Sequence, residues 1–255
     1  MTRFAWLDFR AALRERKVLV AAGLFVYAVL MVPALLSKPP AHVVAAVTSW
    51  FGTGDPFALF LYLWTDLALN KLLAVVAVVL AGGLVTRERD LHLLPVLWAK
   101  PITPARYFLV RACSALGVMT TLYVGAHVLG APWFAYTVDG FRLGAYLVSM
   151  ALHLWAALFA TALAATVSVV VRRRGLAALV TLLTVFSLIG ASFIGFYNPA
   201  WATYALVNPF SLGVQALAHV DDLALVHILP PLLALVGLVG VTLGIGAGFA
   251  RRMEA

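Results

Sequence analysis

Charge is what this sequence most lacks. Of its 255 residues 11% are charged, where an ordinary soluble domain carries about 25%. The apolar share is 64% and the mean hydropathy +1.02. No water-soluble fold hides that much apolar surface, so lipid is the expected solvent for most of the chain. Cysteine occurs once, at Cys113, which excludes a disulfide framework and a thiolate metal site. At the start of an apolar run it reads as a small buried side chain. Lysine occurs four times (Lys17, Lys38, Lys71 and Lys100), never after a glycine. The phosphate-cradling Gly-x-x-x-x-Gly-Lys-Ser/Thr loop is therefore missing, and with it nucleotide hydrolysis by that route. Neither His-Glu-x-x-His nor Gly-x-Ser-x-Gly is present, nor a paired-glutamate run of the intramembrane-protease kind. The chain reads as a non-enzyme, without a catalytic residue or cofactor of its own.

What is present in abundance is long apolar runs. A span needs about 20 residues, and six candidates satisfy that: 18–36, 66–85, 112–131, 143–171, 176–196 and 227–250. The second run begins at Phe57, but counting back from Arg87 places its outer boundary near Asp66, Asn70 and Lys71. The first run follows Lys17 and lacks a small-residue cleavage site, so it is expected to be retained rather than removed as a signal peptide.

The net charge is +8, and the cations are unevenly placed. The N-terminus, residues 86–111, the Arg172-Arg173-Arg174 turn and the C-terminus hold 15 of the 18. Such Lys/Arg bias in short loops marks the cytoplasmic side. The expectation is an all-α membrane protein with six transmembrane helices and both ends inside, forming one domain over 1–255. The placement argues against nucleic acid as a partner. Tyr62, Trp64, Trp133, Tyr136, Trp201 and Tyr204 are expected in the outer aromatic belt, and Trp6, Trp98 and Tyr107 in the inner one.

Ahead of the first span, Trp6, Phe9 and Leu13 share a helical face beside a stripe that includes Arg10 and Arg14. That pattern predicts an amphipathic helix on an anionic membrane surface. Within the spans the ionisable residues are His127 and His153. They suit either a proton relay or metal pair, or plain hydrogen bonding between helices. Outside, His219, Asp221, Asp222 and His227 offer metal-ligand chemistry, with a solvated loop as the simpler reading. In the last span Gly237, Gly240, Gly244 and Gly248 allow close helix packing, within the subunit by preference over across a dimer.

The longest polar interruption is 86–111. It opens on Glu88 and Arg89, then presents Leu91, Leu94, Leu97 and Trp98 at helical spacing. Next comes Pro101-Ile102-Thr103-Pro104, where Thr103 is a predicted N-cap and Pro104 a first-turn proline. An apolar stripe beside the membrane can insert into a partner's groove.

These residues resemble the permease subunits of ABC-2 type exporters, particularly the gliding-motility and nitrous-oxide-reductase maturation permeases. That family shows Glu-Arg-x-x-Gly-Thr-Leu-x-x-Leu-Leu-x-x-Pro-Ile/Val-Ser/Thr followed by a lysine. Glu88-Arg89 and Pro101-Ile102-Thr103 match, Arg111 holds the lysine position, and His92-Leu93 replaces Gly-Thr. Asn208-Pro209-Phe210, running to Asp221-Asp222, resembles the family's outer segment of short re-entrant or capping helices. The resemblance implies a half-transporter pairing with a second permease copy and with two copies of a cytosolic ABC ATPase that binds ATP and Mg. Residues 88–103 would form the coupling helix, braced by the N-terminal helix. The setting would be the inner membrane of a bacterium, with room for a periplasmic accessory protein. The competing expectations are a structural anchor of an envelope machine and a metal-handling membrane protein.

Overall fold

The computed structural model describes residues 2–36, 40–51, 54–90, 102–192 and 207–254, and these are helical with no strand among them. In chain order the helices are α1 (Thr2–Leu13), α2 (Arg16–Leu36), α3 (Ala41–Phe51) and α4 (Pro56–Leu63). A π-helical turn (Trp64–Asn70) leads into α5 (Lys71–Ala81), and α6 is the short Thr86–Asp90. The long helices α7 (Pro104–Thr137), α8 (Leu143–Val170) and α9 (Arg174–Ala191) follow. Then come α10 (Pro209–Gly213), a 3-10 turn (Gln215–His219) and α11 (Leu225–Arg251).

Five of the described stretches are long and apolar enough to cross a membrane: Pro56–Ala81, Pro104–Thr137, Leu143–Val170, Arg174–Ala191 and Leu225–Arg251. That is what a multi-pass membrane protein requires. The predicted first span falls in α2, a 21-residue helix with Pro33 inside it.

Helix starts follow local chemistry. Asp55 caps α4, its carboxylate accepting from Phe57 N at 3.2 Å with Pro56 in the first turn. Thr103 caps α7 by accepting from Arg106 N at 3.4 Å, again with proline next. Asn208 caps α10 through Phe210 N at 2.9 Å, ahead of Pro209. In each the side-chain oxygen satisfies an orphan N–H, while the proline occupies a position that needs none.

The bundle is built around α8. Its buried face carries Ala156, Ala157, Ala160, Ala162, Ala164 and Ala165, and small side chains let neighbouring backbones approach closely. Against α11 the approach is close enough that a Cβ on Gly246 would sit 2.7 Å from Thr166 Oγ1. There Thr166 Oγ1 donates to Thr242 O at 3.0 Å across the two helices. By contrast α9 and much of α11 turn Leu179, Leu183, Leu233 and Ile245 outward.

Several expectations change. The second long helix starts at Pro56, ten residues before the predicted boundary, because the π-helical turn carries Asp66 and Asn70 within the helix instead of ending it. Asn70 is fully buried rather than interfacial. Trp64 and Tyr62 are core residues rather than belt residues, and Tyr107 is buried too, whereas Tyr136 is 84% exposed. Cys113 is exposed, on the outer face of α7. Gly237, Gly240, Gly244 and Gly248 have open space where a Cβ would go, so they pack against nothing described within the subunit. Trp98, Trp201 and Tyr204 lie outside the described residues.

Candidate functional site

The chain segments richest in cations meet at one end of the bundle. Helix α5 ends at Ala81, the chain turns through residues 82–85, and α6 starts at Thr86. Gly83 lies under the Arg174 side chain; a Cβ there would approach its Nε to 2.9 Å. Glycine thus lets the turn before α6 press against the first residue of α9.

Glu88 is 8% exposed and faces inward. Its Oε1 accepts from Tyr107 Oη at 3.1 Å and from Arg111 Nη2 at 3.2 Å. The other guanidinium nitrogen, Nη1, donates to Asp8 Oδ1 on α1 at 3.0 Å. One guanidinium therefore joins α1, α6 and α7, using the planar fork that makes arginine suited to carboxylates. Two carboxylates share a single cation, so this cluster carries a net negative charge inside the most basic region of the molecule.

Arg89 points the other way. Its Nη2 donates to Val169 O in the last turn of α8 at 3.2 Å and contacts Met253 Sδ at 3.7 Å. Lys17 Nζ similarly donates to Leu80 O near the end of α5 at 3.0 Å and pairs with Glu15 at 3.0 Å. Helix C-termini expose carbonyls without intrahelical donors, and cations are favoured there. A small open cleft lies beside this knot, lined in part by Asp8, Glu15, Lys17, Arg111 and Ser114.

Of the predicted coupling residues, Glu88, Arg89 and Thr103 are therefore placed. Leu91, Leu94, Leu97, Trp98 and Pro101 lie outside the described residues. Of the predicted interfacial set, Trp6, Arg10 and Arg14 are exposed, while Phe9 and Leu13 pack against the core. Sequence reasoning missed Asp8, the one acid of α1. A lone acid in an otherwise basic amphipathic helix is the signal that could have flagged an internal partner.

At the opposite end Arg142 bridges Asp55 and Asp221 and lies over the Phe57 ring at 5.0 Å. Asn208 Nδ2 donates to Leu188 O at 2.7 Å, and Phe210 is fully buried. Asp222 lies 3.8 Å from His227 Nε2, and the His219 and His227 rings stack at 3.9 Å. Stacked rings hold their in-plane lone pairs parallel, a poor arrangement for shared metal ligation. Midway, His153 bonds Tyr123 Oη through Nδ1 at 3.0 Å and Asn70 Oδ1 through Nε2 at 2.8 Å. His127 Nδ1 bonds Tyr123 O at 2.7 Å. Both histidines thus bond neighbouring helices or their own backbone. No family model matches the chain, and no curated protein matches it.

Proposed function

We propose that this chain is the permease subunit of an ABC-2 type exporter. It has six spans, with α2 as the first, and its basic end lies in the cytoplasm of a bacterial cell. Two copies form the pathway, and each takes a separate cytosolic ATPase that supplies ATP and Mg chemistry. The observation that carries this reading is the contact between Glu88 and Arg111 at 3.2 Å. Glu88 matches the family's motif and Arg111 stands where the family has lysine, 23 residues away in sequence, and the two meet in space.

In this reading the segment from Glu88 to Thr103 receives the ATPase's motion. A pull on α6 passes through Glu88 to Arg111 and on to α1, and through Arg89 to the end of α8. The contacts at both branch points are charge-assisted, roughly twice as strong as neutral ones, so the load reaches helices rather than stretching a loop. Exposed Trp6, Arg10 and Arg14 anchor α1 on anionic lipid. The chain itself contributes no catalytic group.

The test uses the apolar stripe rather than Glu88, because Glu88 is buried in the knot. Leu94→Asp and Trp98→Asp should each abolish co-purification of a soluble ATPase from native membranes while the permease stays monodisperse. Undiminished ATPase capture by both variants would end the proposal.

A further inference from the structure

The middle of the bundle holds polar atoms that nothing in the described structure satisfies. Trp64 Nε1, Thr65 Oγ1, His127 Nε2 and Ser149 Oγ are buried without a hydrogen-bond partner among the described residues, while the Asn70 side chain bonds Asp66 as well as His153. The four residues are 0–3% exposed, and they belong to three elements that meet along one seam. The Trp64 and His127 rings lie 6.1 Å apart, as do those of His127 and Tyr146. Asn70 bonds His153. Ser149 sits on α8 about one turn from both Tyr146 and His153, on the same buried face. The π-helical turn contributes as well, because its i→i+5 bonding stacks Thr65 over Asn70. The same spacing brings Lys71 Nζ to Asp66 O at 3.2 Å.

The protons of this seam follow from its bonds. Asn70 Oδ1 can only accept, so His153 Nε2 carries its proton and Nδ1 accepts from Tyr123. The Tyr123 carbonyl can only accept, so His127 Nδ1 is protonated and Nε2 is left as a bare lone pair. The unmet set is then one N–H donor, two hydroxyls and one imidazole acceptor. A cation would be repelled by the donors, and an anion would face that lone pair with no positive charge in the set to hold it. A water molecule, which accepts two hydrogen bonds and donates two, has the capacity for all four. In a bundle surrounded by hydrocarbon, bulk solvent cannot meet these groups from outside.

We propose that the seam between the π-helical turn, α7 and α8 is an internal hydration site, binding water between Trp64, Thr65 and Ser149 with His127 Nε2 as acceptor. Bound water lets these helices shift without stranding polar groups dry, since a bridging water re-forms its bonds at low cost. The site is independent of the exporter reading, and its test involves no ATPase.

The experiment is exchange of the Trp64 indole N–H into D₂O, read by ¹⁵N-indole NMR on the full chain in lipid nanodiscs, with the signal assigned by Trp64→Phe. Exchange should be about tenfold faster in the wild type than in His127→Phe, and His127→Gln, which keeps an acceptor, should restore it. If His127→Phe does not fold, the wild type alone decides through infrared spectra. An O–D stretch of isolated internal water, seen in D₂O and shifted in D₂¹⁸O, supports the site. Equal protection in wild type and His127→Phe, or absence of that band, overturns it.

Discussion

Arg111 and Arg142 do the same thing at opposite ends of the molecule, since each holds two carboxylates from distant segments. Their surroundings differ. The Arg111 side chain is 16% exposed and its partners Asp8 and Glu88 are 14% and 11%. Arg142 is 38% exposed, with Asp55 at 35% and Asp221 at 86%. The inner carboxylates have lost their water and depend on one cation, whereas the outer ones keep theirs. The same side-chain pattern is therefore structural at one end and nearly optional at the other. What decides between them is desolvation, because a buried charge deprived of its partner is costly and an exposed one is not.

The largest expected effect breaks the inner hub. Arg111→Met leaves Asp8 and Glu88 buried without their cation, and stability should fall by about 3–5 kcal/mol. Thermal unfolding in detergent would show it as a large drop in midpoint. Adding Asp8→Asn and Glu88→Gln should recover much of that loss, because no bare charge then remains. A midpoint no lower than that of an Arg142 variant would erase the distinction between the hubs.

A middle-sized effect separates the two roles of Asp55. Asp55→Ala removes the cap of α4 and should cost about 1 kcal/mol, while Asp55→Asn keeps the cap and loses only the ion pair. If unfolding midpoints show the two variants equally damaged, the outer ion pair matters more than its exposure implies. The smallest effect is Arg142→Gln, expected at about 0–1 kcal/mol. Whatever difference it makes should shrink further as salt is raised from low to physiological ionic strength, because exposed pairs are screened.

Much of the fold is legible in the residues themselves. Apolar runs mark the long helices, and Thr103-Pro104 announces the start of α7. The gaps have identifiable physical causes. Hydropathy counts apolar residues without saying which way they point, so Trp64 and Tyr62 read as belt residues although they are core. A helical wheel assumes constant phase, and the π-helical turn breaks that phase where Asn70 turns to meet His153. The glycines of the last span invited packing within the subunit. The tightly packed one is instead Gly246, off the Gly240-Gly244-Gly248 stripe. At the knot Glu88 and Arg111 were legible one by one, while Asp8 lies 103 residues from Arg111, beyond the reach of any local pattern.

The sequence by itself determined what depends on neighbours along the chain. It set the apolar lengths that demand lipid and the gathering of cations into four segments. It also set the three capped starts at Asp55-Pro56, Thr103-Pro104 and Asn208-Pro209. Tertiary structure alone decided which polar groups are partnered: Arg111 with Asp8 and Glu88, Asn70 with His153, and Arg89 with the end of α8. The reason is that a cap answers to backbone groups two or three residues away. A buried charge answers to whatever the packing brings against it, and packing is a property of the whole chain.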